Sequence, residues 1–126
     1  MSSHTQTEVY FTDLSLKILQ DMPEYVKRYI RAIRNSTSPR TRYEYLKDIQ
    51  RFLSYSEDNL GYVPELKDLG DLGKEFFEEY LEYLEHYKEN GRERTNSRIS
   101  LKRKLSSLRR FFGYLFEEGL TASDQV

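Results

Sequence analysis

Hydrophobic residues between Ser97 and Gly119 recur at the spacing of one helix face. They stand at i, i+4, i+7, i+11 and i+14, and they are Leu101, Leu105, Leu108, Phe112 and Leu115. This spacing predicts an amphipathic helix. Lysine and arginine occupy the flanks of the apolar stripe. The predicted helix therefore has one face that must be buried and one cationic face that needs a partner.

Two further helices are predicted upstream, each with a capping residue just before a proline. Residues 21–34 open with Asp-Met-Pro and continue with apolar residues at i, i+3, i+4 and i+7. Ser38 and Pro39 open the second helix, and Gly61 is its natural C-terminal stop. Six side chains on the helix stripes are expected in the core: Tyr45, Ile49, Phe52, Leu105, Leu108 and Phe112.

The remaining segments predict one more long helix and little else. Residues 14–20 predict a helical turn or two, and residues 61–73 an extended connection. The helical period returns from about Leu72 to Glu89, and Asn90-Gly91 is expected to end that helix. No run of β-branched residues alternates with period two. The predicted fold class is therefore all-α, a bundle of four to five helices.

Length and composition are those of one soluble helical domain. The chain has 126 residues, of which 33% are charged and 14% aromatic, and the aromatic share argues against disorder. There is no cysteine, which fits a reducing compartment, and no signal-peptide pattern or membrane-length apolar run, so a cytoplasmic location is expected. The expected organisation is a disordered tail over residues 1–12, a helical domain over 13–119, and the start of a linker over 120–126.

Charge is sorted along the chain although the net charge is only −1. Residues 27–51 hold eight lysines or arginines against two acids, and residues 92–110 hold eight against one. Residues 65–89 hold nine acids against three lysines. A polyanion responds to the local field rather than to the average, so the two basic segments are the candidates for binding.

No grouping of residues predicts catalysis. His4 lies in the expected tail, and His86 has no ligand partner at i+3 or i+4. There is no nucleophile motif and no glycine-rich phosphate loop, and the glutamate stripe of the third helix is typical of a solvated face. We therefore expect no catalytic residue, no metal, no cofactor and no small-molecule substrate.

Both basic segments lie at predicted helix N-termini beside hydroxyl and amide side chains. One contains Ser38 and Thr41, and the other Thr95 and Asn96. Free N–H groups and short hydroxyls at a helix start suit phosphate, and arginine suits bidentate contacts with phosphate or guanine. Composition alone leaves two readings open: a solvated charged face and a duplex-binding surface.

These same residues carry a resemblance to a known family. The helix that opens at Ser38 resembles the signature S-x-x-T-x-x-x-Y-x-x-D-[LI]-x-x-F, through Ser38, Thr41, Tyr45, Asp48, Ile49 and Phe52. The last helix is similar to R-x-L-S-[AS]-L-R-x-F-[FY]-x-Y-L, which it matches from Arg103 to Leu115. Both motifs are those of the N-terminal core-binding, SAM-like domain of tyrosine recombinases and phage integrases. Residues 21–26 further resemble the front of Xer-type members.

The resemblance implies a helical clamp on one face of a recombination site in duplex DNA. In the family, a separate C-terminal domain carries the tyrosine nucleophile and the groups that stabilise the attacked phosphate. The motifs of that domain are not found here, so we expect no strand-cleaving activity and no nucleophile among the eleven tyrosines. Sister protomers are possible partners, since the family is thought to use terminal helices of this domain for protomer contacts.

Thirteen residues are predicted to bind DNA, and two of them have a structural alternative. Ser38 has an N-cap role as its alternative, and Thr41 a packing role. The set comprises Ser38, Arg40, Thr41, Arg42, Lys47, Arg51, Arg94, Asn96, Arg98, Lys102, Arg103, Arg109 and Arg110. The alternative function is a helical protein–protein module whose basic face docks an acidic partner or the acidic helix of a sister protomer.

Overall fold

The computed structural model describes the backbone of residues 3–121 and the side chains of residues 6–121. These residues form six helices and one β-hairpin, which confirms the all-α class. In chain order the elements are α1 (Ser3–Leu19), α2 (Glu24–Ala32), α3 (Pro39–Leu60), α4 (Leu66–Asp71), α5 (Lys74–Glu85), β1 (His86–Glu89), β2 (Arg92–Thr95) and α6 (Arg98–Glu117). The chain divides into two compact units within α3, one ending at Arg51 and the other beginning at Phe52.

The first unit has its core on α2 and the first half of α3. The apolar face of α2 is buried, as its spacing predicts, and Tyr29 and Val26 are fully inaccessible. From α3, Leu46 and Ile49 are fully buried, whereas Tyr45, which was expected in the core, is half-buried. The stripe of α3 is therefore rotated slightly from the predicted one.

Helix α1 corrects the expectation of a disordered tail over residues 1–12. The helix begins at Ser3, so residues 3–12 are helical; residues 1–2 lie outside the described part of the chain. Its sequence has no glycine or proline, and the half-buried Phe11 packs against Tyr43 of α3 with ring centroids 5.5 Å apart. This tertiary contact extends the helix beyond the short stretch that the sequence predicts.

The second unit is built around an aromatic cluster centred on Phe52. The Phe52 ring is fully buried and stacks on Phe77 at 5.5 Å, and it meets Tyr80 and Phe112 edge-on at 5.0 and 5.6 Å. These rings come from α3, α5 and α6, so the cluster joins three of the helices of this unit. The predicted core positions Phe52, Leu108 and Phe112 are confirmed, as is Ile49 in the first unit.

Residues 86–95 form a β-hairpin where the end of a helix was expected. β1 pairs antiparallel with β2, and the Asn90-Gly91 pair makes the turn with positive φ values of 52° and 75°. Two central residues of positive φ define the type I′ turn that suits a hairpin twist, and Asn-Gly is its preferred sequence. The predicted helix to Glu89 therefore ends at Glu85, and Tyr87 is buried from a strand instead.

The predicted extended connection over residues 61–73 contains the short helix α4. A capping box closes its start: the Asp68 carboxylate accepts from the Glu65 backbone N–H at 2.9 Å, and the Glu65 side chain accepts from the backbone N–H of Asp68. Leu69 of this helix is fully buried. One buried leucine and a local cap thus suffice for a turn of helix in a segment rich in glycine and proline.

The two predicted glycine stops are confirmed. Gly61 follows α3 with φ 88°, and Gly119 follows α6 with φ 69°. Beyond Gly119, the Leu120 N–H donates to the Leu115 carbonyl at 2.8 Å, which is the 6→1 hydrogen bond of a Schellman C-cap. Of the predicted linker over residues 120–126, residues 122–126 lie outside the described part of the chain.

Candidate nucleic-acid interface

The start of α6 is fixed by a serine cap. The Ser100 N–H donates to the Ser97 Oγ at 3.1 Å, and the Ser97 hydroxyl donates to the Ser100 Oγ at 3.1 Å. The cap satisfies one backbone N–H of the first turn and leaves others directed out of the helix. Ser97 was not among the predicted DNA-binding residues. The Ser-x-x-Ser spacing was the available sequence signal for its role as a cap.

The N-terminal half of α6 stands clear of the core. From Arg98 to Ser106 no residue is buried, and burial begins at Ser107. Leu105, expected in the core, is only half-buried. The basic side chains of the helix are correspondingly open, and five of them are exposed: Arg98, Lys102, Arg103, Arg109 and Arg110.

Three of these cations share one helix face. Arg98, Lys102 and Arg109 are spaced at i, i+4 and i+11, which places them in one row along the axis. The only acidic residue of α6 is Glu117, at its last position. No acid on this helix lies between them, so α6 itself supplies no compensating negative charge to the row.

Asn96 is held by the protein itself. Its Nδ2 donates to the Leu84 carbonyl at 2.7 Å, and its Oδ1 accepts a short hydrogen bond from the Lys104 ammonium group. The neighbouring prediction Arg94 lies exposed on β2. The polar groups of Asn96 thus connect the end of α5 with α6, and Arg94 keeps an accessible guanidinium.

The start of α3 repeats the serine cap of α6. The Thr41 N–H donates to the Ser38 Oγ at 3.2 Å, and the Ser38 hydroxyl donates to the Thr41 Oγ1 at 3.0 Å. Ser38 therefore has the N-cap role that was its alternative at the level of sequence. Ser38 is exposed and Thr41 half-buried, so both hydroxyls stay near the surface.

Arg42 is engaged with the turn between α2 and α3. Its Nη1 donates to the Arg34 carbonyl at 2.8 Å and to the Thr37 carbonyl at 2.5 Å. Burial, and then the nearby charge of Arg34, lowers the pKa of the Arg42 guanidinium from its ordinary value, while Glu8 acts in the opposite direction. Its hydrogen bonds satisfy carbonyls past the end of α2, which is a structural task.

The other predicted cations of α3 also have neighbours within the first unit. Arg40 is exposed, with its guanidinium carbon 5.7 Å from the centre of the Phe11 ring. The Lys47 ammonium lies 5.3 Å from the centre of the Tyr43 ring. An Arg51 nitrogen lies 3.8 Å from the carboxylate of the buried Asp48. The predicted residues from Ser38 to Arg51 lie in the first unit and those from Arg94 to Arg110 in the second.

Acidic side chains concentrate on α5, as predicted. Five glutamates of this helix are exposed: Glu75, Glu78, Glu79, Glu82 and Glu85. Among the residues described, no three His, Asp or Glu side chains are grouped to hold a metal ion. Between residues 3 and 121, none of the helices combines the length and the apolarity needed to cross a membrane.

The six helices and the single hairpin of residues 3–121 define the class of the protein as all-α. The family model described as phage integrase, N-terminal SAM-like domain matches residues 26–119, and the chain belongs to this family. The match confirms the resemblance to the core-binding domain of tyrosine recombinases; the Xer-type subtype and the domain bounds 13–119 stay predictions. No curated protein and no solved structure matches the chain.

Proposed function

We propose that this domain binds duplex DNA, with the exposed basic face of α6 as its main contact surface and the start of α3 as a second one. In this proposal the domain clamps one face of a recombination site, and a separate domain of the recombinase cuts the strands. Most of the proposed contacts are with the phosphate groups of the DNA backbone, since phosphate contacts set the position and the affinity of such a clamp.

The charge of the exposed surface of α6 carries the proposal. The row of Arg98, Lys102 and Arg109 is open to solvent, and no acid of the helix offsets it. The N-terminal end of the helix dipole, just after Ser97, adds partial positive charge at the same end. Membership of a phage integrase domain family supports DNA as the partner of this surface.

The start of α3 has a smaller part in the proposal. Arg42 is bonded to two backbone carbonyls, and Arg51 lies beside Asp48. Arg40 is exposed, and the capped Ser38–Thr41 turn offers hydroxyl groups at the surface. We therefore rank Arg40 first among the α3 residues for a phosphate contact.

Fluorescence anisotropy with a labelled duplex, measured over a range of salt concentrations, tests the proposal. We expect wild-type affinity to fall steeply with salt, with a log–log slope of about −0.9 per neutralised phosphate. The triple variant R98Q/K102Q/R109Q should bind more weakly, and its slope should be shallower by about 0.9 for each phosphate that it no longer neutralises. Its matched control is K67Q/K74Q/K88Q, which removes the same charge from three exposed lysines of the same unit.

Two results contradict the proposal. One is the absence of duplex binding by the wild type at low ionic strength. The other is an equal loss of affinity in both triple variants, because a net-charge effect does not depend on the position of the charge. Circular dichroism of each variant excludes unfolding as the cause.

The alternative function is docking between the basic face of α6 and an acidic helix, with the exposed glutamates of α5 in a second copy as the available example. Their complementary charge is the observation that favours it. Docking of this kind predicts salt-sensitive self-association without DNA, which sedimentation measures. Reversing the charge of Glu78 and Glu82 to lysine should then abolish self-association.

A further inference from the structure

The first unit contains a groove to which the DNA-binding proposal assigns no ligand. It has a volume of about 570 Å³ and lies between α1, α2 and the start of α3. This volume is in the range of small-molecule sites, roughly 300–1,000 Å³. Apolar side chains form part of its wall, among them Leu16, Leu19 and Ile30. The groove therefore has room and surface for a ligand larger than a simple ion.

The charged lining of the groove is entirely positive. Its four cations are Lys27, Arg31, Arg34 and Arg42, and none of its lining residues is acidic. Glu8 on α1 acts on Arg42 electrostatically but does not line the groove. Arg31 and Arg34 are exposed and Lys27 is half-buried, so their charged groups are accessible from solvent. Four cations along one groove favour a ligand of multiple negative charge.

A buried hydroxyl in the wall of the groove is a second, independent indication of a ligand. Ser15 lines the groove and is only 8% exposed, and its Oγ has no hydrogen-bond partner. Buried hydroxyls ordinarily have a partner, and a helical serine ordinarily finds one in a preceding carbonyl. An oxygen of a ligand in the groove is an acceptor that this hydroxyl lacks.

We propose that the groove binds a phosphate group attached to an apolar or aromatic moiety. Lys27, Arg31 and Arg34 neutralise the phosphate, the Ser15 hydroxyl donates to it, and the apolar wall packs against the attached group. Two sources share this chemistry. One is a free mononucleotide, which supplies both the phosphate and an aromatic base for the apolar wall. The other, which rests on the proposed function, is a backbone phosphate of duplex DNA, which engages the cations and Ser15 but not the apolar wall.

Calorimetric titration of the full chain with AMP, adenosine and inorganic phosphate tests the free-ligand source. We expect AMP to bind more tightly than either of its parts, because it engages both the cations and the apolar wall. R31Q and R34Q should each weaken binding by about tenfold, the size of one charge-assisted hydrogen bond. R28Q is the matched control, since Arg28 is exposed on α2, as Arg31 is, and does not line the groove.

S15A tests the groove without changing the charge of the protein. It should weaken AMP binding and raise the melting temperature of the ligand-free protein, because it removes an unpaired buried hydroxyl. Duplex binding by the same variants tests the second source. If AMP does not bind but R31Q and R34Q weaken duplex binding more than R28Q does, the phosphate comes from DNA.

The proposal is overturned if R31Q, R34Q and R28Q are indistinguishable with both AMP and duplex. Equal weakening by all three identifies a long-range charge effect, and no weakening by any of them identifies an unoccupied groove. The α6 triple variant tests duplex binding separately. An error in the groove proposal and an error in the proposed function therefore give different results.

Discussion

The Asn96 side chain donates a hydrogen bond from its Nδ2 to the backbone carbonyl of Leu84, 2.7 Å away and twelve residues earlier. Leu84 lies in the last turn of α5, where carbonyls have no partner within the helix. Asn96 also accepts a hydrogen bond from Lys104 on α6. A single amide thus closes the end of one helix and holds the beginning of the next across the β-hairpin.

Asn96→Ala is expected to destabilise the fold rather than to remove a DNA contact. The change leaves the Leu84 carbonyl without its partner, so the free energy of unfolding should fall by about 1–2 kcal/mol. Urea unfolding measures this loss, and Thr95→Ala, at an exposed neighbouring position, is the control. Weaker duplex binding by Asn96→Ala with unchanged stability contradicts the structural role.

The sequence predicts helix ends well because the signals for them are local. The Ser-x-x-Thr start of α3 and the glycines after α3 and α6 are explained by hydrogen bonds and φ values within a few residues. Ser38 illustrates the limit of such signals. Its spacing to Thr41 is typical of both a cap and a phosphate contact, and only the geometry identifies the cap.

The hairpin could not be predicted from hydrophobic spacing. Tyr80, Leu84 and Tyr87 stand at i, i+4 and i+7, which fits one helix face, yet Tyr87 is buried from β1. A four-residue strand is too short to show a period of two, so the helical period continued through it. The Asn90-Gly91 pair was the available signal, because it is also the strongest short hairpin turn.

The sequence predicts which residue types form the candidate site, but not which of these side chains are already bonded within the protein. Charge patterning indicates the cations of α3 and α6 equally. Only tertiary contacts distinguish Arg42, which is bonded to carbonyls of the α2–α3 turn, from Arg98, which is exposed. The groove beside α1 could not be predicted at all, since the residues that line it come from three helices and the turns after two of them and are separated along the chain.

Replacing Ser97 separates the cap of α6 from a phosphate seat. Ser97→Asn and Ser97→Asp both keep a side-chain acceptor at the N-cap, so both should retain wild-type stability. Only Ser97→Asp adds a negative charge where a DNA phosphate is proposed to lie, and we expect it to weaken duplex binding by about fivefold. Paired urea unfolding and anisotropy measurements check both parts.

Ser97→Ala completes that series. Loss of the cap should lower the free energy of unfolding by about 1 kcal/mol. If Ser97→Asn and Ser97→Asp bind duplex equally well, the start of α6 does not contact phosphate.

Gly91→Ala should destabilise the hairpin. Gly91 has φ 75°, which an L-residue with a Cβ adopts only at a cost, and we expect a loss of about 1 kcal/mol in the free energy of unfolding. No atom lies within 4 Å of the position of the added Cβ, so the loss comes from the backbone alone. Gly73→Ser is the control, because Gly73 has φ −91°, which serine adopts without strain, and serine is a favourable residue at this N-cap position of α5. Equal stability of Gly91→Ala and wild type contradicts the turn assignment.

Alkaline pH should destabilise the second unit through Tyr55. Burial, and then the charges of Glu79, Tyr83 and Glu82, raises the pKa of the Tyr55 phenol above its ordinary value of 10.0. The folded state therefore retains the proton more strongly than the unfolded state, so this contribution to stability is complete below the unfolded pKa and is lost as pH rises through the folded pKa. We expect the free energy of unfolding to fall as the pH rises above the ordinary phenol pKa of about 10, and to fall less steeply in Tyr55→Phe, which has no phenol to ionise. Urea unfolding at a series of alkaline pH values measures how steeply the free energy of unfolding falls in each protein. Tyr10→Phe, at an exposed site, is the matched control. If the free energy falls equally steeply in Tyr55→Phe and wild type, Tyr55 does not cause the loss.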